Sequence, residues 1–228
     1  MLLGVLSIII TLAAGYALFR EGVFTAFCMM FNVLLAGILA FNFWEPLAKL
    51  LEPPLSGSFM QGFEDFLVLI AIFSLALGLL RLATNYIANN LIEFPQAFQS
   101  AGAVVFGLAA GYLIAGFLVC ALQTLPWHRN FMGFDAAYLG SAQSAARRVL
   151  PPDRVWLALM YRAGAYAFNA DEDPRFPNAQ TIFEKNFTFD KSGTFEMRYE
   201  QYRRFGEGGV DPPAYSGELD QEIAGPNR

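Results

Sequence analysis

The sequence predicts an all-α polytopic membrane bundle of four transmembrane helices, carrying a small α+β extramembrane C-terminal region. Three observations predict it. Of the 228 residues, 55% are apolar and only 15% charged, where soluble domains are roughly a quarter charged; the mean hydropathy is +0.39. The imbalance is confined to one half: residues 1–122 hold as cations only Arg20, Lys49 and Arg81, and as anions only Glu21, Glu45, Glu52, Glu64, Asp65 and Glu93. That half also divides into four apolar runs of the length a bilayer demands, about 20 helical residues for about 30 Å of hydrocarbon.

The first run, 2–19, has no ionisable residue and stops at Arg20-Glu21-Gly22. No basic segment precedes it, so it reads as a span rather than a cleaved signal peptide. The second, 23–43, is followed by the interfacial aromatic Trp44 and then Glu45-Pro46, where charge and proline are expected to end the helix. Residues 52–58 read as a loop on their prolines and glycine. The third span is the least clean, because 66–80 between Asp65 and Arg81 gives about 22 Å of helix at about 1.5 Å per residue. A helix over 63–87 solves this if Arg81 snorkels toward the headgroups. The fourth span, 101–122, is charge-free, and its Ala103, Gly107, Gly111 and Ala115 recur every four residues. Such a strip lets another helix approach closely; small residues are also common in membrane helices generally, and a pore-lining face is a third reading.

Beyond residue 122 the character changes, and 123–205 reads as extramembrane. Pro151-Pro152-Asp153 introduces a helix over 154–168 that is too short to span. It is expected either to lie on the membrane surface or to pack on the tail's own small core. After a charged linker, 169–178, a β-hairpin is predicted over 181–199, with a turn at Asp190-Lys191-Ser192-Gly193. Phe183, Phe187 and Phe189 alternate on one face before the turn and Phe195, Met197 and Tyr199 after it. Helical spacing of Phe195, Tyr199 and Tyr202 leaves 199–205 open between strand and helix. An isolated hairpin needs cover, which makes Phe183, Phe187, Phe189 and Phe195 a candidate partner surface. Residues 206–228, rich in Gly, Pro and acid, are predicted to be disordered.

The parts list for chemistry is short. His128 is the sole histidine and no G-x-S-x-G accompanies it; no phosphate-binding glycine loop occurs; Cys28 and Cys120 both lie inside apolar runs. No catalytic, cofactor-binding or metal-ligating residue is therefore predicted, nor an enzyme. A net charge of -5 gives no electrostatic reason to expect nucleic acid. Arg20, Glu21, Glu64, Asp65 and Arg81 fall at predicted helix ends and read as solvated termini, the alternative being that Arg81 pairs across the bundle with a carboxylate such as Glu21. Asn32 and Asn42, within the second span, are candidates to hydrogen-bond a neighbouring helix.

Four spans of this order, the Arg20-Glu21-Gly22 junction, the polar break before the third span and the fourth span's A-V-V-F-G-L-A-A-G over 103–111 together resemble the colicin V production protein family (CvpA). The resemblance covers 1–126, and Pro152 to Leu157 looks like an extension seen in some members. Members typically have Arg-Gly after the first span and Asp-Arg before the glycine-rich one; this chain has Glu21 interposed, and Gln99-Ser100 stand at the latter place. The resemblance implies a multi-pass bacterial inner-membrane protein linked to export of a peptide toxin, with both termini, hence the C-terminal region, periplasmic. The positive-inside count is silent, since Arg20 and Arg81 on one side face Lys49 and Arg129 on the other. The expectation is a non-enzymatic scaffold or accessory factor in toxin or peptide export or envelope processes, whose partners are the lipid bilayer and membrane or envelope proteins. The alternative is a small transporter or channel subunit, a homo-oligomer built by packing copies of the fourth span through Gly107 and Gly111.

Overall fold

Gly22 has φ 98°, a left-handed conformation that residues with a Cβ avoid, and the chain reverses there from α1 (Leu2–Glu21) into α2 (Val23–Leu55). The computed structural model describes residues 2–55, 60, 62–87, 95–125 and 152–165. Within them follow α3 (Glu64–Ile87), α4 (Gln96–Gln123) and α5 (Pro152–Ala165). Four of these helices, all but α5, are long and apolar enough to cross a membrane. Among the described residues there is no strand. The hairpin expected over 181–199, with Phe183, Phe187, Phe189 and Phe195, and the tail 206–228 lie outside them.

The contacts fix an up-down-up-down order. Gly15 of α1 lies against Leu108 of α4 and Thr11 against Gly111, so these two helices run antiparallel. Phe27 meets Phe106 with ring centroids 5.1 Å apart and Phe41 meets Phe117 at 6.1 Å, so α2 and α4 run parallel. α3 returns along α2, with Asn32 opposite Thr84 near one end. The central pair is α2 and α4, flanked by α1 on the α4 side and α3 on the α2 side. Outward faces of the flanking helices are strongly apolar: Val5, Ile8, Ile9 and Leu12 on α1 and Leu75, Leu79 and Leu82 on α3 are all exposed. A continuous apolar surface of this kind is a surface for lipid.

Two features depart from expectation. The second helix does not stop at Glu45-Pro46 but continues through Pro46, Pro53 and Pro54 to Leu55, so part of the expected 52–58 loop is helical. An interior proline removes a backbone hydrogen bond at a cost of about 3 kcal/mol. Trp44, just before Pro46, and Ala48, just after it, are both buried and tie this stretch to the bundle, while Leu47, Leu50 and Leu51 of the extension are exposed.

The second departure is α5. It lies neither on the membrane surface nor on a core of its own, but in the groove between α2 and α4, and its Trp156 and Met160 belong to the same apolar core as Val33, Leu69 and Phe117. Trp156 is 0% exposed. Its ring stands with centroids 5.8 Å from Phe117 and 6.3 Å from Phe41, and Phe73 of α3 stacks on Phe117 at 3.8 Å. Two glycines open the seat. A Cβ at Gly37 would collide with the Trp156 ring, and one at Gly116 would stand 2.5 Å from the Pro152 carbonyl oxygen.

Replacing Trp156 by Ala should therefore cost on the order of 3–5 kcal/mol, the usual range for emptying a large aromatic site, and Gly37→Leu should unseat the same ring from the opposite side. Thermal unfolding of the detergent-solubilised protein reads both; an unchanged midpoint in the two variants would show that α5 is not seated between α2 and α4.

Candidate functional site

The small-residue strip of α4 is a backbone contact within the chain. Gly107 and Gly111 face α1: a Cβ at Gly107 would lie 3.0 Å from the Gly15 carbonyl oxygen, and one at Gly111 would lie 2.5 Å from that of Thr11 and 3.2 Å from Ala14 Cβ. Ala103 and Ala115, the other two members of the strip, are buried. The face that an oligomer of fourth spans would need is occupied by the chain's own first helix.

Two groups of polar side chains bridge the helices of the bundle. At the end where α1 passes into α2, Arg81 Nη2 donates to Glu21 Oε1 at 2.6 Å, tying α3 to α1, with side chains 41% and 36% exposed. The sequence permits this pair but equally permits two separate solvated termini, because a residue 60 positions away leaves no local pattern. Beside it, Asn32 Nδ2 donates across to Thr84 Oγ1 at 3.1 Å, and that hydroxyl donates to the Leu80 carbonyl at 2.9 Å. Asn42, the other asparagine of the second span, turns instead to its own helix and donates to the Ile38 carbonyl at 2.7 Å. Between α2 and α3, Cys28, Asn32, Arg81, Thr84 and Asn85 line a cavity of about 20 Å³, room for about one water molecule.

At the opposite end a second group forms where α5 meets the end of α4. Asp153, in the first turn of α5, is 1% exposed, and its Oδ2 accepts from Gln123 Nε2 at 3.3 Å. Cys120 Sγ donates to the Asp153 carbonyl at 3.6 Å. Among the described residues, Gln123 Oε1 and Trp156 Nε1 are buried without a hydrogen-bond partner. Sequence reasoning missed this group. Its signal was an acid directly behind two prolines at the head of an apolar helix, which reads as a water-facing helix start until the helix is known to be buried.

Other candidates are accounted for more simply. Cys28 is half-buried, Cys120 is buried, and both are free thiols. Among the described residues no three His, Cys, Asp or Glu side chains gather as metal ligands. His128 and the phenylalanines Phe183, Phe187, Phe189 and Phe195 lie outside the described residues.

A protein-family model described as Colicin V production protein matches residues 3–145. No curated protein and no solved structure matches the chain.

Substituting Gly111 by Leu should force α1 and α4 apart and destabilise the fold by about 1–3 kcal/mol, as overpacking commonly does, with Gly78→Leu in α3, where an added Cβ meets nothing within 4 Å, as the control. The Arg81–Glu21 pair is too exposed to be strong: a double-mutant cycle through Arg81→Ala and Glu21→Ala should give a coupling of about 0.2–1 kcal/mol. Reversible unfolding in mixed detergent micelles measures both, and a coupling well above that range would mean the pair is sequestered from water.

Proposed function

Because the chain belongs to the colicin V production protein family, we propose that it is a multi-pass protein of the bacterial inner membrane serving as a non-enzymatic scaffold or accessory factor in toxin or peptide export or related envelope processes. Family membership together with four helices of membrane-spanning length and composition carries the reading. It is supported by how the bundle uses its polar side chains, which engage one another across helices: Arg81 with Glu21, Asn32 with Thr84, Gln123 with Asp153. Such pairs hold helices together in lipid, the property a scaffold requires. The alternative, an oligomeric transporter or channel subunit assembled through α4, has less support because α1 covers Gly107 and Gly111.

In this reading the first residues of α1 and the end of α4 share the periplasmic face, and the region after α4 meets partner proteins there. Arg20 and Arg81 then lie toward the cytoplasm. Reporters fused after Arg228 and at Gly22 test the orientation: the first should be active only in the form that matures in the periplasm, the second only in its cytoplasmic counterpart, and the reverse pattern contradicts it. Crosslinking in cells followed by detergent pull-down should recover envelope proteins with the full chain and lose them when 166–228 is removed; identical partners from both would remove the tail from the proposal.

A further inference from the structure

The seat of α5 can be placed in depth from three helices independently. Trp156 is packed at the level of Gly37 on α2 and of Phe117 on α4, and Phe73 on α3 stacks on Phe117. The polar boundary at that end of the bundle is marked by Glu45 on α2, Asp65 on α3 and Gln123 on α4. Stretches 37–45, 65–73 and 117–123 separate Trp156 from it, and at about 1.5 Å per residue each amounts to about 9–12 Å of helix. Half the hydrocarbon thickness is about 15 Å, so the indole stands more than halfway from the boundary to the midplane. The Pro152 carbonyl, against Gly116, is nearly as deep.

A helix that starts inside hydrocarbon must satisfy its first backbone groups without water. The start of α5 is built for that. Its first residue, Pro152, has no N–H to leave unpaired. The carboxylate of Asp153 lies at the positive end of the helix dipole, where Gln123 donates to it, while Cys120 donates to the Asp153 carbonyl. At 14 residues α5 is about 21 Å long, too short to cross. The exposed positions Ala158 and Arg162 then face lipid, and the stem of Arg162 is long enough to carry its charge toward the boundary.

We propose that α5 is a re-entrant membrane helix, a fifth membrane-embedded element that enters from the face where α4 ends, with the Asp153 carboxylate held by Gln123 at the boundary and Trp156 seated within the membrane. The proposal rests on the membrane reading of α1 to α4, and the test separates the two. In the full chain carrying Cys28→Ser and Cys120→Ser, the second keeping a donor to the Asp153 carbonyl, single cysteines are placed by Ala158→Cys on α5, Leu35→Cys on the lipid face of α2 and Met60→Cys between α2 and α3. Membranes opened to both sides are treated with a membrane-impermeant maleimide, and full reaction after denaturation serves as the reference. The expected result is that Met60→Cys reacts at the rate of an exposed thiol while Ala158→Cys, like Leu35→Cys, reacts at least an order of magnitude more slowly. Rapid labelling of Ala158→Cys beside a protected Leu35→Cys overturns the re-entrant helix alone. Rapid labelling of both overturns it together with the membrane bundle.

Discussion

In hydrocarbon, apolar side chains gain little by facing one another instead of lipid, so helices associate where their backbones come close or where polar groups find partners. The arrangement of this chain follows from that constraint. α1 is held to α4 where Gly107 and Gly111 let the Gly15 and Thr11 carbonyls come into direct contact. α5 is held to the central pair where Gly37 and Gly116 leave room for one indole ring and one backbone carbonyl. At both places the absent Cβ is what admits the neighbour, and any side chain there converts dispersion contact into overlap.

The polar groups follow the same constraint from the other side. An ionised or amide side chain in lipid is expensive unless paired, and those within the spans are met by a partner on another helix or on their own: Asn32 by Thr84 of α3, Asn42 by the Ile38 carbonyl of α2. Arg81 and Glu21 meet where the bundle reaches water and remain partly exposed, which makes them a tie between the flanking helices α1 and α3 rather than a buried ion pair. The Asp153–Gln123 contact is different in kind, since Asp153 is wholly covered. It binds a segment distant in sequence to the end of α4, and with it the Trp156 ring.

How far the sequence foretold this depends on the range of the interaction concerned. The four spans were readable because runs of apolar residues bounded by Arg20-Glu21-Gly22, Glu64-Asp65 and Pro126 reflect a local requirement of length; the third helix runs over Glu64–Ile87 against an expected 63–87. The continuation of α2 beyond Pro46 was hidden, because the proline's local penalty is visible in sequence while the packing of Trp44 and Ala48 on either side of it is tertiary. Likewise the strip on α4 announced a close helix contact, but nothing local distinguished α1 as its neighbour from a second copy of α4. The seat of α5 was least accessible of all. Gly37 and Gly116 each look ordinary in an apolar helix, and their joint meaning appears only when Trp156 lies between them.

All of this presumes lipid as the solvent of the outward faces, and nitroxide labels read that directly. Labels at Leu12 of α1 and Leu79 of α3, both exposed, should in lipid nanodiscs be relaxed strongly by oxygen, which concentrates in hydrocarbon, and weakly by a water-soluble nickel chelate. Strong relaxation by the nickel chelate and weak relaxation by oxygen at both positions would mean that these faces meet water, and would contradict a bundle whose helices are solvated by lipid.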